Sequence, residues 1–236
     1  MFRRRNRSAE DGHVEKAESA VEQPEQVRTF SGPVDITQFV DDGVTRLDLG
    51  SLRVPGAEGM EIRLEVDQTS DAVVAVTVID GASAMQVMPF AAPRQEGIWD
   101  DVRAEMYAGL AAQGDVVEAE GPFGIELRST VSVQVEDGSV VQQPVRFLGV
   151  DGPRWFVRAA ISGEAGGLEA APGLEAVLRS TVVVRGSEPM APGDPLVLTF
   201  PSSVPEGIIQ GEAPEPPASR TTLPMPERGP EITEIR

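Results

Sequence analysis

The sequence predicts an α+β protein. One domain over residues 31–201 is expected, a largely antiparallel sheet of seven or more strands with two helices packed on it, between disordered tails at 1–30 and 202–236. Three observations carry this expectation. Runs of alternating apolar and polar residues recur along the middle of the chain, as half-buried strands require. Short Gly-containing breaks join many neighbouring runs, which marks hairpins rather than long parallel crossovers. Two stretches place apolar residues at helical spacing instead. A length of about 170 residues suits one core better than two.

The elements follow in order. "TRLDLGSLRVP" and "MEIRLEVD" alternate as half-buried strands do. "AVVAVTVID" and "SAMQVMPFA" flank Gly81-Ala82 and form a hairpin. The first is nearly continuous in Val and Ala, which predicts a central strand covered on both faces. "GIWDDVRAEMYAGLAAQG" predicts a helix over 98–113, with Trp99, Val102, Met106 and Leu110 as one stripe. Asp100 and Asp101 in its first turn complement the helix dipole. Gly114 is expected to end it as a left-handed cap. "DVVEAEGPFGIELRSTVSVQV" gives two strands around a GPFG turn, and "RFLGVDGPRWFVRAAISG" a further hairpin. "PGLEAVLRS" predicts the second helix, with Pro172 suited to its first turn. It runs into a strand at "TVVVRG", and "DPLVLTFP" adds an edge strand.

Composition excludes whole classes of function. The net charge of −18 is uneven: residues 1–30 balance six basic against six acidic groups, whereas residues 31–201 hold 11 Arg against 26 acidic residues. A domain this acidic repels phosphate backbones, so no nucleic acid is expected on the core. Zero cysteines exclude disulfide and thiolate chemistry, and the cytoplasm is the expected location. No apolar run of membrane-spanning length exists. The one histidine, His13, and the one lysine, Lys16, sit in the N-terminal tail. The core therefore lacks a Ser-His-Asp triad, imidazole metal ligands, a Schiff-base lysine and a P-loop lysine. Catalysis would rest on Asp, Glu, Arg, Ser, Thr or the single Tyr107. No catalytic residue, cofactor or metal site is assigned.

The tails read as solvated chain. "MFRRRNR" packs four Arg into seven residues and would tether weakly to an anionic membrane, at about 1 kcal/mol per basic residue. The C-terminal segment from Pro201 carries eight prolines, which block helix and central strand alike.

The stretch that concentrates large and charged side chains is 146–163. Asp151-Gly152 signals a two-residue hairpin turn, with Pro153 opening the returning strand. On that reading Trp155, Val157, Ala159 and Ile161 face the core. Arg154, Phe156 and Arg158 face outward, with Arg146 and Leu148 beside them. Arg146, Arg154, Trp155, Phe156, Arg158 and Arg185 form the candidate partner or ligand surface. Arginines beside aromatics either pair with the many core carboxylates and pack, or grip an anionic group bidentately. Packing is the first reading, recognition the second. Three weaker candidates are the glycines Gly121 and Gly124 around Pro122-Phe123, the acidic pairs Asp41-Asp42 and Asp100-Asp101, and Met85 with Met88. They read as a tight turn, as divergent carboxylates unable to cage a metal alone, and as core filler.

Four segments together, "PFAAP…GIWDDVR", "EGPFGIEL", "RFLGVDGPRWFVRAAISG" and "VLRSTVVVRG…PMAP", resemble a domain-of-unknown-function family of actinobacteria, from about Gly32 to Pro201. The resemblance implies a cytoplasmic protein of a high-GC bacterium, in keeping with 19 Arg to one Lys, and implies no activity. The order of elements is also similar to PsbP-like sandwiches, mostly binding or assembly factors. The function expected is a non-enzymatic interaction or adaptor domain with a protein partner. An anionic-ligand binder or carboxylate-only enzyme using core arginines, and a peripheral membrane protein using the Arg-rich start, stand as alternatives.

Overall fold

The computed structural model describes residues 32–67, 72–94, 97–134 and 138–202. The expectations for tails at 1–30 and beyond 202, the "MFRRRNR" tether included, lie outside the described residues. Along the chain run β1 (Val34–Asp35), β2 (Arg46–Asp48), β3 (Leu52–Pro55), β4 (Met60–Asp67), β5 (Ala72–Asp80) and β6 (Ser83–Ala91). Then come α1 (Trp99–Ala111), β7 (Val116–Gly121), β8 (Gly124–Gln134), β9 (Val140–Gly152), β10 (Trp155–Gly163), a 3-10 turn (Glu164–Gly167), α2 (Pro172–Ser180) and β11 (Val182–Val183).

Seven of the strands form one antiparallel sheet in the order β4-β5-β6-β10-β9-β8-β7. The other four form a small mixed sheet, β1-β11-β3-β2, whose β1–β11 pair is parallel. The main core lies between the two sheets. Leu47, Leu52 and Val54 from the small sheet and Leu174, Val177 and Leu178 from α2 meet Val76, Val78, Met85, Val87, Trp155, Val157 and Ile161 of the large one. Helix α1 packs on the opposite face, over β7, β8 and β9, and buries Trp99 against Phe156 and Ala92. The protein is a single α+β domain, mostly sheet.

Alternation set strands β2 to β6 where the sequence placed them, and Pro172 opens α2 as expected. Four local readings need correction. Strand β5 is second from the edge, not central, and Val74 is exposed at a bulge where Val73 and Ala75 oppose consecutive residues of β4. Its Val-Ala run is buried chiefly on the core side; the strand covered on both faces is β10, fourth of seven. Helix α1 ends through Ala112 in right-handed geometry, and Gly114, which is absent from the positive-φ glycines, simply donates to the Leu110 carbonyl.

The third correction is that "TVVVRG" contributes only two strand residues. The fourth concerns "DPLVLTFP", which is no edge strand. It enters the seam where β5 and β6 part: Leu196 donates to Pro89, Leu198 bridges both Val73 and Gly50, and Thr199 donates to Leu49. Leu196 and Leu198 are buried while Val197 and Phe200 between and beyond them are exposed, so alternation holds here without a ladder.

Candidate functional site

Strands β9 and β10 pair from Gly152↔Trp155 to Arg146↔Ile161. The turn is therefore Pro153-Arg154, two residues later than the Asp-Gly signal suggested. Pro supplies the fixed φ of the first turn position, and Arg154 takes φ +65° at the second, as in a type II turn. It is the one non-glycine with positive φ among the described residues.

Cross-strand partners share a face. Because Leu148 pairs with Ala159 and Arg146 with Ile161, both point into the main core rather than outward beside Arg158. Arg146 is 0% exposed. Its Nε and Nη2 donate to the two oxygens of Glu126 at 2.8 and 2.9 Å, and Nη2 lies 3.1 Å from Glu175 of α2. Arg128 donates to Glu126 as well. Burial opposes the charge on Arg146, but the two carboxylates more than offset it and raise its pKa. Gly121 makes room for this network, since a Cβ there would stand 2.2 Å from the Glu126 carboxylate. The GPFG glycine thus serves packing, not a phosphate.

Trp155 and Phe156 are also inside, at 1% and 2% exposure. Of the six residues expected on one surface, Arg146, Trp155, Phe156 and Arg185 are buried, and only Arg154 and Arg158 are partly exposed. Phe156 stacks between Phe90 and Trp99, with ring centroids 5.7 Å apart on each side. Arg158 lies over Phe90 at 5.5 Å and donates to the Met88 thioether. It has no carboxylate partner among the described residues, and burial lowers its pKa. Among the described residues no helix packs on the α1 side of β4, β5 and β6 beside it. There half-buried Thr77 and Gln86 both donate to the Glu65 carboxylate, next to the Glu61–Arg63 ion pair.

Arg154 and Arg185 meet at the turn end. Arg185, 9% exposed, donates Nε to the Arg154 carbonyl at 3.0 Å and Nη1 to the Glu188 carbonyl at 3.2 Å. The Arg154 carbonyl also accepts from the Ala92 amide, so one turn holds β6 and the segment after β11 together.

The remaining candidates are accounted for locally. Asp41 and Asp42 accept from loop amides, and Asp42 pairs with Arg46 at 2.7 Å. Asp100 pairs with Arg103. No cluster of three carboxylate or imidazole groups gathers among the described residues. Met85 is core, and Met88 turns to Arg158. Tyr107 is exposed on α1, beside a shallow groove it shares with Ala104 and Glu118. No described helix is long and apolar enough to cross a membrane.

Sequence reasoning missed Glu126, Glu175, Asp35 and Asp151. The first two stood in plain view as charges inside apolar patterns, "GIELRST" on a strand and "GLEAVL" on a helix.

The family model described as a protein of unknown function, DUF3710, matches residues 32–207, and the chain belongs to that family. Among curated proteins nothing matches. A crystal structure from Bacteroides thetaiotaomicron VPI-5482 is 9% identical with a TM-score of 0.35, over 56% of this chain and 44% of that one. The chain thus spans under half the length of that protein.

Proposed function

We propose that this DUF3710 domain is a non-enzymatic, cytoplasmic interaction domain. Its partner seats on the half of the large sheet's α1 side that no described helix covers, at the shelf of Met88, Phe90 and Arg158. One observation carries the reading: Arg158 is a half-buried cation without a carboxylate partner among the described residues, in a domain where 26 acidic residues accompany 11 arginines. Most arginines here have an acid: Arg46, Arg53, Arg63, Arg103, Arg128 and Arg146 each pair with one. A guanidinium held over an aromatic ring and left without its anion suits a carboxylate on another protein, which it can grip bidentately. Buried arginine and aromatic anchors dominate interface energetics.

The test is affinity capture by the full chain against an Arg158→Ala chain of unchanged melting temperature. A stoichiometric protein held by the first and lost from the second is the expected outcome. Equal capture by both moves the surface elsewhere, and unfolding of the variant assigns Arg158 to packing.

A further inference from the structure

A second group of arginines lies apart from that shelf, at the end of the sheet where β6 stops and β9 turns into β10. We infer that Arg154 and Arg185 form a binding site for a single phosphate group, with Arg94 on its rim.

The geometry is that of a donor set held in place by the main chain. Arg185 is nine-tenths buried, and its Nε and Nη1 are fixed by two main-chain carbonyls, so the guanidinium cannot swing away. Its Nη2 has no partner among the described residues. Arg154 holds the neighbouring turn position, with no hydrogen bond or ion pair from its side chain among the described residues. Burial and the like charge of Arg154 both lower the pKa of Arg185, a cost that an anion between them removes. Arg94 is exposed two residues past Ala92, whose amide binds the Arg154 carbonyl.

No carboxylate of this end pairs with Arg154 or Arg185 among the described residues. Asp35 accepts from the Trp155 indole and from Thr37. Asp151 caps α1 through the amides of Ile98 and Trp99. Asp194 accepts from the Ala191 amide, and Glu188 offers Arg185 its carbonyl rather than its side chain. Arg154 and Arg185 are thus without an ion pair among the described residues, in a domain whose other arginines mostly have one. A carboxylate needs one guanidinium in its own plane. Two neighbouring guanidiniums, one of them anchored on the other residue's carbonyl, suit a tetrahedral dianion better. The acidic surround keeps a polyphosphate backbone away, so the ligand is a lone phosphate, free or as the monoester of a small molecule.

Arg154 makes a clean variant because its side chain holds no described residue by hydrogen bond or ion pair and its φ favours glycine. The experiment titrates the full chain calorimetrically with inorganic phosphate and with a nucleoside 5′-monophosphate, with chloride holding ionic strength constant. Saturable binding is expected, weakened at least about tenfold in Arg154→Gly, a loss of about 1.4 kcal/mol, and unchanged in Arg158→Ala. The Arg154→Gly chain should melt no lower than wild type; Arg154→Asn, which also tolerates this backbone, repeats the test. Tighter binding of the monophosphate identifies an ester as the ligand, and tighter binding of inorganic phosphate identifies the free ion. Absence of saturation by about 10 mM with both probes, or equal affinity in Arg154→Gly, overturns the site. Either outcome leaves the Arg158 shelf untouched.

Discussion

The indole N–H of Trp155 donates to Asp35 Oδ2 at 2.7 Å, and this bond joins the two sheets through residues 120 positions apart. Trp155 begins the central strand of the large sheet, and Asp35 ends the first strand of the small one. Both are buried. Asp35 also accepts from the amide and hydroxyl of Thr37, so one carboxylate fixes a turn and an inter-sheet contact together. Asp35→Ala leaves the indole donor buried without a partner and should cost about 2–3 kcal/mol. Urea unfolding of Asp35→Ala, Trp155→Phe and the double variant checks the pairing: the two losses should fall short of adding by about 1 kcal/mol or more.

The buried ion network should be asymmetric. Glu126 answers both Arg128 and Arg146, whereas Glu126 keeps Arg128 when Arg146 is lost. Glu126→Ala removes the bidentate partner of a fully buried guanidinium and leaves it Glu175 alone, which should cost up to about 3–5 kcal/mol. Arg146→Met retains the volume and leaves each glutamate another partner, since Glu175 also accepts from the Ala171 amide. It should cost clearly less, and chemical denaturation of the two variants side by side decides it.

Asp42 gives the acid-side prediction. Its hydrogen bond to Arg46 lowers its pKa to about 2, against burial that would raise it. A folded pKa below the unfolded one means the pair stabilises above the unfolded value near 3.8, and that contribution fades as pH falls toward 2. The Asp42 side chain is nearly half exposed, so solvent screening holds the benefit to about 1 kcal/mol or less. Asp42→Asn should lower the urea midpoint slightly at pH 7 and match wild type near pH 2. A gap that persists at the acid end would contradict the pairing.

Sequence periodicity reached the strands and helices because each is long enough for its pattern to repeat. Strands β1 and β11, two residues each, are too short for any period, and the small sheet they help build was not legible. The candidate surface failed at Arg146 for a different reason. A charge within a strand was placed outward, while ladder parity puts the partner of Ile161 inward wherever the turn falls. Only the distant glutamates, one on β8 and one on α2, make that burial tolerable, and their approach is tertiary. Moving the turn from Asp151-Gly152 to Pro153-Arg154 shifted the register but kept the faces. It also freed Asp151 for a role that local sequence could not announce.

That role is capping α1. Ile98 stands at the N-cap and has no side chain that can accept a hydrogen bond. Asp151, at the end of β9, supplies the missing acceptor to the amides of Ile98 and Trp99 and adds negative charge at the positive end of the dipole. Close packing seats the same helix end: a Cβ on Gly149 would stand 2.1 Å from the Trp99 ring. Two variants should therefore unseat α1 by different routes. Asp151→Ala removes the cap and should cost about 1 kcal/mol. Gly149→Ala overpacks the indole and should cost about 1–3 kcal/mol. With Trp155 replaced by Phe in a common background, Trp99 becomes the only indole, and its emission reports the helix directly. Gly149→Ala should shift that emission to the red at zero denaturant. Asp151→Ala should leave the emission in place and lower only the urea midpoint, since the ring keeps its seat against Phe156 and its bond to the Ile125 carbonyl. A red shift in Asp151→Ala alone would mean that the cap, not the ring stack, positions the helix.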